Sequence, residues 1–469
     1  MTIDILPDVA LLEIFHFYVG GERINDVDEK HIEAWHTLAH VCRHWRMVLF
    51  GSPRRLGLRL CCTPKTPVRE TLDVWPLLPI AIRVYAVKNC VMDNIIAAVQ
   101  HNDRICELEL LSVSSSQMEY VLAAMQQPFP VLARMWLQPK LGETMPVIPA
   151  SFLGGSAPRL HALWLDYISF PGLPKLLLSA THLVDLDFRR IPHSGYISPE
   201  AIVTCLSALT RLESLVLGFE SPRSRPDSRR PPPLSRTFLP VLRRLAFKGV
   251  GKYLENLVAL IDAPLLDYLF ITFFHQLIFE TPQLAQFISR TPKFKTHDEA
   301  RVVFSDGHVR VTLPQTFNGN LRLGISCRQP DWQLSSLAQV CGLSFPQALI
   351  PTVEDLYIQI GFPRRVLQDD IENSQWFELF HPFAAVKHLY LSQVFVPLIA
   401  APALQELVQE RVTEVLPALE ILFLEKSPLS RPDLEAIGLF VAARRRASNP
   451  ITVSLWEKGE KDKFYEHEY

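Results

Sequence analysis

The sequence predicts an α/β protein: a small all-helical beginning, then a long array in which parallel strands alternate with helices. Three observations predict it. Apolar residues fall at helical spacing through the first fifty positions. An apolar-x-x-apolar-x-apolar pattern then returns ten times. Between its copies, Ser or Thr beside an early Pro marks the starts of short helices.

The first helix opens at Pro7, whose missing N–H costs nothing in a first turn, with Asp8 and Glu13 toward the positive end of the dipole. Leu11, Ile14, Phe15 and Tyr18 follow at i, i+3, i+4 and i+7, one apolar stripe. Residues 20–30 are rich in glycine and charge and read as a polar surface insertion. A second stripe, Trp35, Leu38, Cys42, Trp45 and Leu49, again has helical spacing. Two such helices bury one face against each other, yet about fifty residues make a thin core. Apolar side chains left over are natural anchors for a partner's groove.

The repeated pattern is centred on Leu108, Met135, Leu163, Leu186, Leu215, Leu245, Leu269, Leu356, Leu389 and Leu422. The stretch between Leu269 and Leu356 has room for two weaker copies, at 300–304 and 321–325. This period and pattern signal a leucine-rich-repeat solenoid, in which short strands stack in parallel over a continuous core. Ser198-Pro199, Thr281-Pro282 and Ser430 ahead of Pro432 supply the helix starts. The turn position three residues past each last strand residue holds no Asn, and several copies have an apolar residue there, Val113, Ile168 and Val250 among them. The array is therefore leucine-rich-repeat-like, its turns closed by packing. The expected division is 1–55 for the helical module, 56–456 for the array and 457–469 for a charged tail.

Composition narrows the function. Of 469 residues 20% are charged and the net charge is -2, so no basic excess points to nucleic acid. Asp4 and Asp8 stand where a signal peptide would need a cationic start, and no run approaches the ~18 apolar residues of a membrane span. The eight cysteines form no C-x-x-C, which predicts reduced thiols and a cytoplasmic or nuclear protein.

Several motifs carry a resemblance. The start Leu6-Pro7, the segment Trp35-x-x-Leu38-x-x-Val41-Cys42-Arg43-x-Trp45-Arg46 and the exit Ser52-Pro53 resemble the F-box. Residues 62–68 (CTPKTPV), 72–76 (LDVWP), 152–158 (FLGGSAP), 194–200 (SGYISPE) and 331–336 (DWQLSS) are similar to a large basidiomycete-type F-box family, over nearly the whole chain. The insertion at 20–30 is longer than the usual turn, although some fungal members carry one. The resemblance implies a substrate receptor of a cullin-RING ubiquitin ligase, with no catalytic site of its own. Its partners would be a Skp-type adaptor, through it a cullin scaffold, and a protein target. It assigns Leu6, Pro7, Leu11, Ile14, Phe15, Val41, Cys42 and Trp45 to docking the adaptor or folding the box. The alternative is a scaffold or ligand-sensing repeat protein whose helical start is only a cap.

Candidates for chemistry are weak. His36, His40 and His44 recur every fourth residue on one predicted helix, but lack a carboxylate or fourth ligand and read as a solvated face, not a metal site. Gly154-Gly155-Ser156 lacks the nucleophile-elbow and phosphate-loop patterns and reads as a turn. Ser305-Asp306-Gly307-His308 reads as a hairpin turn. The Arg/Pro-rich stretch 221–236 reads as a surface loop, and Arg444-Arg445-Arg446 as the cationic end of the last helix. No cofactor is expected. Target recognition falls to the x positions of the repeats: Trp136, Trp164, Asp166, Asp185, Asp187, Tyr268, Phe270, Tyr357 and Tyr390.

Overall fold

The structure is a computed structural model. It describes residues 6–20, 34–85, 92–222, 236–276, 278–295, 297–305, 307–314, 320–327, 330–345, 349–360, 373–392, 414–426 and 431–457. All but the first residue of the expected insertion at 20–30, most of the Arg/Pro-rich stretch, Asp306 of the hairpin turn and the tail from 458 lie outside them. The chain is mixed α/β, built on mostly parallel sheet, and divides into two compact units, Met1–Tyr196 and Ile197–Tyr469.

The first unit begins with α1 (Asp8–Gly20), α2 (Ala34–Val41) and α3 (Arg43–Gly51), which pack on one another. The predicted second helix is broken at Cys42. Its backbone turns extended, and its Sγ accepts the Trp45 N–H at 3.4 Å, an N-cap made by a thiol. The three histidines therefore do not share one helix face. His36 stacks on Trp75 at 4.7 Å, His40 meets the same ring edge-on at 5.9 Å, and His44 lies 3.2 Å from Asp8.

Six strands follow, β1 (Leu60–Cys62), β2 (Ile80–Tyr85), β3 (Ile105–Val113), β4 (Arg134–Pro139), β5 (Ala162–Asp166) and β6 (Asp185–Ile191), each parallel to the next. Helices α4 (Val68–Val74), α5 (Asp93–Val99), α6 (Ser115–Ala124) and α7 (Leu173–Ser179) lie between them in sequence. The repeat leucines, such as Leu108, Leu110, Leu163 and Leu186, are buried, where each side chain contributes roughly 1.5–3 kcal/mol. The turn between β4 and β5 passes through Leu153, Gly154 and Gly155, all at positive φ, so the Gly-Gly pair serves backbone geometry.

The second unit contains α8 (Pro199–Leu206), β7 (Ser214–Phe219), a small parallel pair of β8 (Thr237–Phe238) and β10 (Ile261–Asp262), β9 (Arg244–Gly249), α9 (Gly251–Leu260), β11 (Tyr268–Phe274) and α10 (Pro282–Arg290). It continues with β12 (Glu299–Ser305), β13 (His308–Pro314), β14 (Asn320–Ser326), α11 (Pro330–Leu343), β15 (Asp355–Ile360), α12 (Asn373–Phe380), β16 (His388–Leu391), β17 (Ile421–Glu425), α13 (Arg431–Arg446) and β18 (Thr452–Trp456).

The strand order in this unit corrects the expectation of parallel strands throughout. It runs β7-β9-β11-β14-β13-β12-β15-β16-β17-β18, and β13 is antiparallel to both its neighbours. The two weaker copies are strands β12 and β14, but they pair through the hairpin strand β13. Gly307, at φ +98°, makes the tight turn between β12 and β13.

Helix ends are tied by specific groups. Ser198 caps α8 through the Ala201 N–H at 3.2 Å, as its Ser-Pro start predicts. Thr281 does not cap α10. Its hydroxyl lies 2.6 Å from Ser344 Oγ, and Glu255 of α9 instead accepts the Gln283 and Leu284 N–H groups at 2.9 and 2.8 Å. Arg444 is not an exposed dipole partner either. It is buried, and its Nη2 donates to the Leu416 and Leu419 carbonyls at 3.1 and 3.3 Å.

Candidate functional site

Two surfaces are candidates, and no catalytic constellation is proposed. The first is the helical start. Pro7's carbonyl accepts the Leu11 N–H at 3.1 Å, which begins α1. Leu11 and Phe15 are fully buried, and the Phe15 and Trp45 rings lie 4.9 Å apart, joining α1 to α3. Trp35 Nε1 donates to the Arg59 carbonyl at 3.1 Å and anchors α2 to the chain leading into β1. Leu11, Phe15 and Trp45 are thus the cement of the helical module.

The rest of the named set faces outward. Leu6, Pro7, Ile14 and Val41 are exposed, and Cys42 is half-buried at its cap. Val9, Phe17, Tyr18 and Met47 join them, Phe17 at 84% exposure. The expected stripe is split: Leu11 and Phe15 turn inward with Leu12, while Ile14 and Tyr18 turn to solvent. Helix α1 is apolar on nearly every side, so periodicity alone did not decide which side is buried.

The second surface is the outward face of the strands. Parallel register makes the x positions of successive repeats lateral neighbours. In the first unit Glu109, Trp136, Trp164 and Asp187 form one such row. Trp136 and Trp164 are half-buried and meet edge-to-face at 6.4 Å, with the Arg189 guanidinium 5.6 Å from the Trp164 centroid. Around them the charges are matched. Glu107, almost fully buried, pairs with Arg59, with Arg83 at 3.4 Å and with Arg134 at 3.5 Å. Asp166 is held by Arg190 Nη2 at 2.6 Å and by Gln138 Nε2 at 3.1 Å. Glu109 accepts from the Tyr85 hydroxyl, whose pKa is raised by burial and then by that carboxylate. Asp185 alone of the named acids is exposed.

In the second unit Tyr357, Tyr390 and Phe423 stand side by side in register. Their rings stack at 4.1 and 4.4 Å with planes 8° and 3° apart, and Trp456 meets Tyr390 edge-on at 5.7 Å. Tyr357 and Tyr390 are half-buried by this stacking, whereas Tyr268 remains 42% exposed beside Phe270. The x positions also hold residues that were not singled out from sequence, among them Glu107, Glu109 and Phe423. Reading every x position of each repeat would have found them. Arg310 and Arg322 needed the strand order, because β13 and β14 lie outside the clear repeats.

Among the described residues no helix is long and apolar enough to cross a membrane. Neither a comparison with protein-family models nor one with curated proteins finds a match for this chain.

Proposed function

We propose that this chain is an F-box substrate receptor of a cullin-RING ubiquitin ligase, its helical start docking a Skp-type adaptor and a leucine-rich-repeat-like solenoid binding a protein target. The observation that carries the reading is the division of labour in the first three helices. Leu11, Phe15 and Trp45 close the module from inside, while Leu6, Val9, Ile14, Phe17, Val41 and Met47 stay on its surface. That many exposed apolar side chains on three short helices mark a face for a partner, since monomeric surfaces rarely cluster them. They coincide with the segments that resemble an F-box.

The solenoid half of the reading is supported by the repeat strands, which fall where the sequence pattern puts them and pair in register. Within each unit the x positions then line up side by side with aromatic anchors, the residue types that carry binding energy at interfaces. Co-purification from cells tests the proposal. The full chain should recover a Skp-type adaptor and a cullin, and the Leu6→Ala/Ile14→Ala/Val41→Ala variant should lose both while keeping its thermal melt. Normal recovery by that variant would sink it.

A further inference from the structure

The last described strand is open where the first is covered. Strand β1 is buried at Leu60, Cys61 and Cys62. Strand β18 is exposed at Thr452, Val453, Ser454 and Leu455, and only Trp456 is half-buried. It stands at the end of the strand order, paired on one side with β17. Among the described residues no strand pairs with its other side.

Side chains and backbone are both left over at this edge. Val453 and Leu455 lie in register with the buried Leu422 and Leu424, so they occupy core positions of the repeat. Yet Val453 is 42% and Leu455 61% exposed, and Leu434 and Leu439 of α13 are exposed as well. The Thr452 N–H donates to the Glu420 carbonyl at 2.9 Å, and the Trp456 carbonyl accepts the Lys426 N–H at 2.9 Å. A residue in a parallel strand turns its N–H and C=O to one side, and the next residue turns them to the other. Thr452, Ser454 and Trp456 therefore bond toward β17, and the backbone groups of Val453 and Leu455 face the open edge.

Edge strands are commonly blunted by charge, proline or a bulge. Residues 451–456 carry no charge and no proline, and the register with β17 is unbroken. The next residue, Glu457, is tied to Lys426 at 2.7 Å.

The strand is also its own complement. Turned about a twofold axis through Ser454, normal to the sheet, it runs antiparallel to itself. Val453 then lies opposite the partner's Leu455, and Leu455 opposite the partner's Val453, apolar against apolar on one face. On the other face Ser454 meets the partner's Ser454, small against small, and Thr452 meets the partner's Trp456. The Val453–Leu455 pairs fall on the residues whose backbone groups point outward, so each pair exchanges both of its hydrogen bonds.

We propose that a second copy of this chain pairs with β18 in this antiparallel register, joining two sheets edge to edge. The inference is independent of the receptor reading; where both hold, one particle carries two adaptor-docking modules. A twofold contact uses the same patch on both copies, which this strand supplies. Strand β18 has 5 residues, a small interface, so the association is weak and grows with protein concentration.

Sedimentation velocity on the full chain over a concentration series tests this. The parent should shift from monomer to dimer as concentration rises. Val453→Lys and Leu455→Glu, each at an exposed position, should each weaken dimerisation about tenfold or more with no change in melting temperature. An equimolar mixture of the two variants should dimerise about as well as the parent. The introduced lysine of one copy then faces the introduced glutamate of the other, and Leu455 still meets Val453. A second variant reads the register without disturbing the apolar pairs. At a non-hydrogen-bonded antiparallel pair the Cα atoms lie about 4.5 Å apart, within disulfide reach. Ser454→Cys should therefore give a covalent dimer under oxidised glutathione, beyond any formed by the parent. A folded parent that stays monomeric at every concentration, a dimer indifferent to both single substitutions, a mixture no better than either variant alone, or no added cross-link from Ser454→Cys would each overturn the proposal.

Discussion

Glu107 in β3 and Arg322 in β14 hold comparable places, each on the outward face of a strand and almost wholly buried, yet the groups beside them differ. Glu107 sits among three guanidinium groups, and its neighbours Glu109, Asp166 and Asp187 have cationic or hydroxyl partners of their own. Arg322 shares its face with Arg310, Lys248, Arg244 and His308, steadied by the Phe270 ring. Burying a charge is costly unless opposite charge and hydrogen bonds offset the lost hydration. A face that matches its charges in place is built for stability.

The largest effect should come from breaking the matched face. Glu107→Ala leaves Arg59, Arg83 and Arg134 without their common carboxylate and should cost about 3–5 kcal/mol, seen as an earlier urea transition. Lys248→Ala on the other face should change stability by less than about 0.5 kcal/mol. Equal losses for the two would erase the distinction between the faces.

Next is the aromatic ladder. Tyr390→Ala removes the central ring of three and should cost about 2–4 kcal/mol, because two stacked contacts and a packed side chain go together. Tyr390→Phe keeps the stack and should lie within about 1 kcal/mol of the parent. If Tyr390→Ala melts like the parent, the ladder is a surface ornament and its aromatic end is free to bind.

Smaller effects should follow from pH. In the second unit His308 and His297 are both held below the ordinary histidine pKa, chiefly by burial. The unfolded chain therefore takes up protons first as pH falls through about 6.5. Stability is full above that value and declines below it. His308→Gln should flatten the decline in melting temperature between pH 7 and 5.5, and a profile unchanged by the substitution would remove His308 from the basic cluster.

Much of this was legible in the chain. All ten clear copies of the repeat became strands, because a leucine every second or third position needs one buried face and the period fixes its spacing. The aromatic x positions were legible for the same reason, and register then made neighbours of Trp136 and Trp164 and of Tyr357 and Tyr390. The hairpin of β12 and β13 was legible in its Asp-Gly turn, but the pairing of β13 with β14 was not, since strand order is a tertiary choice that local pattern does not encode. Nor was the break at Cys42. Trp35, Leu38, Cys42 and Trp45 keep helical spacing through it, and only the Sγ contact to the Trp45 N–H reveals a cap. The inward turn of Arg444 was hidden too, because three arginines at a helix end look alike until the Leu416 and Leu419 carbonyls choose one.

The central claim is that the first three helices bury one set of apolar residues to hold themselves and expose another to hold a partner. Affinity of the purified chain for a Skp-type adaptor, measured by calorimetry on two variants, tests it most directly. Ile14→Ala with Val41→Ala should weaken adaptor binding by about 2 kcal/mol or more while the melting temperature stays put. Phe15→Ala should instead cost about 3–5 kcal/mol of stability. Full adaptor affinity in the Ile14/Val41 variant, or no adaptor binding by the parent chain, would contradict the account.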